Sequence, residues 1–247
     1  MSRAFVLFVA MLGLAVSASG AGERHSGFDT MSPALQAMQL DDGTNPAMLW
    51  VASGKALWDQ WHCGKCHAAA EQSMRGVAAR FPAFDAAMKR PVTLSQLIQQ
   101  CRRLDGGADL APESEELLSI SAYIALQSRG MPITPPADAR LQPFQQQGQV
   151  LFERRIGQLD LSCAQCHAQR AGGKLGGSLI PQAHPTGYPL YRLEWQGLGS
   201  LQRRLRNCAA GVRAQVWDWD APELVDLELY LMQRAAGMPM DAPGVRP

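Results

Sequence analysis

The sequence predicts an all-α protein built from two tandem helical units related by internal duplication. Three observations carry this expectation. The pentapeptide Cys63-Gly64-Lys65-Cys66-His67 returns as Cys163-Ala164-Gln165-Cys166-His167. The spacing from Cys101 to Leu117 and to Met131-Pro132 repeats from Cys208 to Leu224 and to Met238-Pro239. Between these marks, apolar residues recur at helical intervals and are stopped by Gly and Pro. A chain of 247 residues with 47% hydrophobic, 18% charged and 7% aromatic residues can bury one large core or two small ones, which excludes disorder and collagen. The net charge of +1 and the lack of a long basic run argue against a nucleic-acid partner.

Residues 1–21 read as an export signal. Arg3 supplies the positive end, residues 5–16 are apolar, and residues 17–21 are small, with cleavage after Ala18 or Ala21. The apolar run falls short of the ~20 residues that span a bilayer, so the mature chain is expected without a membrane span, in the periplasm. Removing it takes Arg3 and no acid from 23 basic and 22 acidic residues, leaving a formally neutral chain. In residues 22–137, the first unit, the segment Gly54 to Trp58 has a helical apolar pattern that leads to the first pentapeptide, matched in residues 138–247 by Gly148 to Phe152. A last helix is expected over residues 114–128, with Leu117, Leu118, Ile124 and Ala125 on one face and Gly130 and Pro132 as terminators. Its counterpart opens at Pro222, buries Leu224, Leu227 and Leu231, and ends at Gly237 and Pro239. The proline-rich residues 131–137 are expected to link the units.

Each pentapeptide is a C-x-x-C-H motif, the signature of covalent haem c attachment. Two thiols two residues apart reach both vinyl groups of one porphyrin, and the following His meets the iron. Cys63 and Cys66 with His67, and Cys163 and Cys166 with His167, are therefore expected to hold two haems, giving two class I cytochrome c-like domains. A bare C-x-x-C would equally suit a redox dithiol or half a zinc site, but two complete motifs behind an export signal disfavour that. Cys101 and Cys208 remain. They could form an interdomain disulfide, or each could be the distal ligand of its own haem; equivalent positions in a duplicated unit favour the second. Met131 and Met238 are the alternative distal ligands. His25, His62 and His184 read as surface residues, with His184 able to approach the second haem.

The second unit carries more chemistry. Arg203, Arg204 and Arg206 precede Cys208, and Arg213 follows it, which stabilises a thiolate. On a helix, Arg204 shares a face with Cys208 and can hold an anion beside the sulfur. The bland reading is a solvated basic face that balances haem propionates. Insertions at residues 153–162, 172–178 and 184–189 lengthen the loops around the second motif, and long loops beside one cofactor mark the reactive one.

Arg155-Ile156-Gly157, the second C-x-x-C-H motif, Gly187-Tyr188-Pro189-Leu190-Tyr191-Arg192-Leu193-Glu194-Trp195-Gln196, Arg203-Arg204-Leu205-Arg206-Asn207-Cys208 and Gly211-Val212-Arg213-Ala214 resemble the SoxA family of sulfur-oxidation cytochromes in its dihaem form. The resemblance covers both units and is densest over residues 154–239. It implies that Cys208 is the catalytic cysteine, carried as a persulfide and ligating the second haem, that Arg204 binds substrate, and that Cys101 is the distal ligand of the first haem. It also implies oxidative conjugation of thiosulfate to a cysteine of a SoxYZ carrier protein, with a monohaem SoxX partner and two electrons passed to cytochrome c. Lys174 and Arg213 are further candidates for steering the anion or the carrier. A plain dihaem electron carrier and a thiosulfate dehydrogenase that makes tetrathionate are the competing functions.

Overall fold

The computed structural model describes residues 23–247, and the expected export segment lies outside them. A short helix α1 (Pro33–Leu40) precedes α2 (Ala47–Gln60), which leads into α3 (Gly64–His67) at the first motif and α4 (Ala70–Ser73). The strands β1 (Ala83–Asp85) and β2 (Arg90–Val92) then pair antiparallel before α5 (Leu94–Leu104) and α6 (Glu115–Leu126). In the second half, α7 (Gln142–Glu153) leads into α8 (Cys163–His167), followed by the hairpin β3 (Lys174–Leu175) and β4 (Ser178–Leu179). Next come β5 (Leu190–Arg192), β6 (Gly197–Gly199), α9 (Leu201–Gly211), α10 (Pro222–Arg234) and β7 (Gly244–Arg246). β5 pairs antiparallel with β6 and parallel with β7.

The expectation of an all-α chain is thus corrected: helices dominate, but seven short strands are present among the described residues. These strands are two or three residues long, so their existence depends on cross-chain pairing rather than on local propensity. The last helix of each half lies where the apolar pattern placed it, and α1 is an element the pattern did not anticipate.

The two halves use the same packing joint. In the first, α2 crosses α6 with Gly54 pressed on the carbonyl of Ser119, and a Cβ there would collide with that oxygen. Trp58 and Tyr123 then meet with ring centroids 6.0 Å apart. In the second, α7 crosses α10 with Gly148 against the carbonyl of Asp226, while Phe152 meets Tyr230 at 5.4 Å. Glycine is required at both crossings because only a side chain of hydrogen lets the backbones approach so closely. From Phe81-Pro82 to Met131 and from Tyr188-Pro189 to Met238, the strand pair, the middle helix and the last helix follow at identical spacing.

The segment expected as a linker is firmly docked. The Ile133 N–H donates to the Met238 carbonyl at 2.8 Å, the Gly237 N–H donates to Ile133, and Ile133 is buried. Met238 and Met240 pack there against Ala78, Ala79, Ala125 and Met232, so the halves share an apolar seam. Among the described residues, no helix is long and apolar enough to cross a membrane.

Candidate active site

Cys163, Cys166 and His167 all lie on α8, which starts at a reciprocal cap. The Ser162 hydroxyl accepts from the Gln165 N–H, and the Gln165 side-chain oxygen accepts from the Ser162 N–H at 2.8 Å. This fixes the helix at the motif itself. The His167 Nδ1 bonds to the Pro181 carbonyl at 2.8 Å, which fixes the ring and leaves Nε2 for a metal. Burial lowers the His167 pKa, with Arg204 and Arg234 adding to the effect while the Pro181 bond opposes it. The imidazole is thus held in the neutral form that ligation needs.

α9 brings the second set of groups. Its first turn is capped by the Ser200 hydroxyl, which accepts from the Arg203 N–H at 3.1 Å. The Ser200 N–H donates to the Glu113 carboxylate at 3.2 Å, a bond from the first half of the chain to the helix that carries Arg204 and Cys208. Arg204 and Cys208 sit one turn apart on this helix, as expected from the sequence, and both are half-buried. Arg203 stacks over Trp195 at 4.3 Å, with Arg192 at 5.2 Å from the same ring, and Arg206 stacks over Trp219 at 4.3 Å. The inserted loop before α8 ties down the far end of α9: the Gln158 N–H donates to the Arg213 carbonyl and the Leu159 N–H to Val212.

The electrostatic neighbourhoods show which groups converge. Burial pushes the Cys163 thiol up to about 11, and the nearby Cys208 sulfur raises it further. Burial also pushes the Tyr188 phenol up to about 12, in the fields of Arg204, Cys208 and Arg192. Cys163 and Ala164 of α8, Leu205 of α9 and Tyr188 pack against one apolar cluster. In the first half, burial is the main cause that raises both Cys63 and Cys101; Cys101 acts on Cys63, and Cys66 acts on Cys101. Arg102 lies over Trp61 at 4.1 Å and lowers Cys63. No two of the six cysteines are joined by a disulfide, and each of the two outside the motifs acts electrostatically on a motif cysteine of its own half.

Met131 and Met238 are placed at the seam, with the Met131 sulfur against Gly76 and Met238 in the shared core. His62 and His25 are exposed, and the half-buried His184 bonds through Nδ1 to the His25 carbonyl at 2.8 Å. Lys174 lies exposed on β3, and Arg213 is exposed just past α9. Tyr188, Arg192 and Glu113 were not singled out by the sequence. The constant offset that equates Tyr188 with Phe81, and Arg204 with Leu97, is the signal that would have drawn attention to Tyr188.

These donors fit haem c. Two thiols and a histidine share one helical turn in each half, and among the described residues the buried Arg102 Nε, Arg192 Nε, Arg206 Nη1 and Arg234 Nε have no protein partner, as groups facing porphyrin carboxylates would. The family described as SoxA/TsdA, cytochrome c domain, matches residues 53–133 and 147–240. The L-cysteine S-thiosulfotransferase subunit SoxA of Rhodovulum sulfidophilum is 32% identical over 234 residues, covering 91% of this chain and 80% of that protein. Its counterpart from Pseudaminobacter salicylatoxidans is 33% identical over 216 residues, covering 84% and 76%. The crystal structure of SoxXA from P. pantotrophus superposes with a TM-score of 0.85 at 28% identity, over 91% of this chain and 87% of that one. With the two motifs, the arginine-flanked cysteine and the fold in agreement, the chain belongs to the SoxA family of c-type cytochromes.

Proposed function

We propose that this chain is the dihaem subunit of a periplasmic enzyme that conjugates thiosulfate oxidatively to a cysteine of a SoxYZ-type carrier protein. The observation that carries this reading is the pairing of Arg204 with Cys208 on α9, beside the α8 motif, where the first half has Leu97 in place of the arginine. A dianion needs such a guanidinium, and a plain electron carrier does not.

The reaction joins the terminal sulfur of thiosulfate to the carrier's cysteine sulfur. The carrier thiol loses its proton to solvent, and two electrons leave for oxidised cytochrome c. Arg204 binds the sulfonate oxygens and turns the outer sulfur toward Cys208. The Trp195 and Trp219 rings hold the Arg203 and Arg206 guanidinium groups, which keeps positive charge along α9. That charge matters because Cys208 is near the C-terminal end of α9, where the helix field disfavours an anion. The Cys208 Sγ bonds the terminal sulfur of thiosulfate as the two electrons leave, and the carrier thiolate then attacks that sulfur, breaking its bond to Sγ and releasing Cys208 as a thiolate. Haem c, when bound, accepts electrons one at a time.

Cys63, Cys66, Cys163 and Cys166 would form the thioethers of two haems, His67 and His167 the proximal ligands, and Cys101 and Cys208 the distal ones. The closeness of each remaining cysteine to its own motif supports this assignment over a disulfide. The matched joints at Gly54 and Gly148 and the constant spacing downstream support an internal duplication, with domains at residues 22–137 and 138–247. A SoxX-type monohaem partner completes the electron path, a reading supported by the likeness to the SoxXA structure. The export-type segment at residues 1–21 supports the periplasmic placement.

The test is to incubate the haem-loaded protein and its SoxX-type partner with thiosulfate, carrier and oxidised cytochrome c. Conjugated carrier with two cytochromes reduced per thiosulfate is the expected result. Tetrathionate formed without carrier would replace this reading with a thiosulfate dehydrogenase.

A further inference from the structure

The first described residues of the chain are built onto its second half. Ser26 and Asp29 make a reciprocal turn: the Ser26 N–H donates to the Asp29 carboxylate at 2.6 Å, and the Ser26 hydroxyl accepts from the N–H groups of Phe28 and Asp29. This turn fixes where residues 23–25 lie, and they cross the far end of α10. There the Arg24 Nη1 donates to the carbonyls of Arg234 and Ala236 at 3.3 and 2.9 Å. A helix end leaves such carbonyls without helical partners and favours a cation beside them.

The same three residues hold the loop that follows α8. The Gln182 side chain is engaged at both of its polar atoms, with Oε1 accepting from the His25 N–H at 2.8 Å and Nε2 donating to the Glu23 carbonyl at 3.1 Å. The His184 Nδ1 faces the His25 carbonyl at 2.8 Å and so carries the hydrogen. The Gln182 carbonyl accepts from the Arg234 Nη2 at 3.2 Å. Between these two pinned residues Ala183 sits at φ 58, a left-handed conformation that a residue with a Cβ keeps only where its surroundings hold it. Pro181, the residue before Gln182, presents the carbonyl that bonds to the His167 Nδ1 at 2.8 Å. A continuous line of hydrogen bonds and peptide links thus runs from Arg24 through Gln182 and Pro181 to the His167 ring. The first half covers the interval from His67 to Phe81 with residues 68–80 alone, where the second uses residues 168–187, so the first motif is an internal control.

We infer that residues 23–25 are a strap that positions the proximal ligand of the second haem, with Gln182 as the positioning residue that joins strap to ligand. A carbonyl held against the imidazole N–H makes the ring a more basic ligand, which favours the oxidised iron. Loosening the strap lets the Pro181 carbonyl drift, weakens that bond and makes the second haem easier to reduce. The inference rests on the reading of His167 as a haem ligand.

The test uses the haem-loaded complex with its SoxX-type partner and two variants. Gln182→Leu keeps the bulk of the side chain and removes both of its bonds to the strap, while Arg24→Gln loosens the strap at an exposed position without touching the loop. Redox titration followed optically and by electron paramagnetic resonance reads each haem. In Gln182→Leu the reduction equilibrium of the second haem is expected to shift toward the reduced form by roughly 3-fold to 10-fold, the worth of one hydrogen bond. A tenfold shift is ~59 mV for a one-electron couple. Arg24→Gln is expected to move it less and in the same direction, with the first haem unmoved in both variants. An unmoved second haem in Gln182→Leu would overturn the inference even if the melting temperature fell, because the strap would then serve stability alone. Equal shifts at both haems would overturn it as well. A second haem without a histidine ligand in the wild-type spectrum would overturn the ligand assignment and the strap together, whereas a histidine-ligated haem of unmoved potential would overturn the strap alone. Neither readout uses the carrier, so the result stands apart from the conjugation reading.

Discussion

Conjugation depends on Cys208 and Arg204. Replacing Cys208 with Ala is expected to abolish conjugation while the α8 motif still attaches haem, checked by carrier modification and by a stain for covalent haem. Arg204→Leu copies Leu97 from the first half, so the pocket should remain packed. The loss of a charge-assisted bond to the anion predicts a rise in thiosulfate KM of roughly 10-fold to 100-fold, read from steady-state kinetics. These residues were legible in the sequence because covalent haem attachment and an i, i+4 pair both leave fixed local spacings. Glu113 was not, because its bond to the Ser200 N–H joins residues 87 positions apart and exists only in the folded chain.

At the scale of elements, α9 is the part the site depends on. Glu113 reaches it from the loop before α6, where its own backbone sits at φ 62, and its carboxylate accepts from the Ser200 N–H. Burial raises the Glu113 pKa, while the Ser200 bonds and the facing Arg203 and Arg206 oppose that rise. Glu113→Ala should cost about 1 kcal/mol in stability, the usual worth of a helix N-terminal acceptor, and thermal unfolding would show it. The other joint is Gly148. Adding a methyl group there drives a Cβ into the Asp226 carbonyl, so Gly148→Ala should destabilise by roughly 1–3 kcal/mol and loosen α7 from α10, measurable by denaturant unfolding. The helices themselves could be read from apolar spacing and from Pro and Gly stops. The strands could not, because pairs of two or three residues carry no periodicity of their own and are defined only by their partners.

For the whole molecule, the seam between the halves ties folding to pH. Burial pushes Glu228 up to about 8, helped by the Asp220 and Glu113 carboxylates, against a side-chain bond from Gln202. The unfolded chain releases this proton near the ordinary value of 4.5, whereas the folded chain keeps it until about 8. The native state thus binds the extra proton within that window, so this group's contribution to stability falls as pH rises through it. Glu228→Gln should flatten this dependence and raise the melting temperature at pH values above the window by roughly 3 °C or more, as calorimetry across pH would reveal. The docked residues 131–137 also belong to this scale: their proline content reads as a linker, but their pairing with residues 237–240 is set by the other half of the chain. Conjugation of thiosulfate to a carrier cysteine by the Arg204–Cys208 pair is read by mass spectrometry of the carrier after turnover with thiosulfate and oxidised cytochrome c. Wild-type protein is expected to leave one S-thiosulfonate on the carrier's cysteine and Cys208→Ala none. Equal modification by both proteins, or an unmodified carrier beside accumulating tetrathionate, would contradict it.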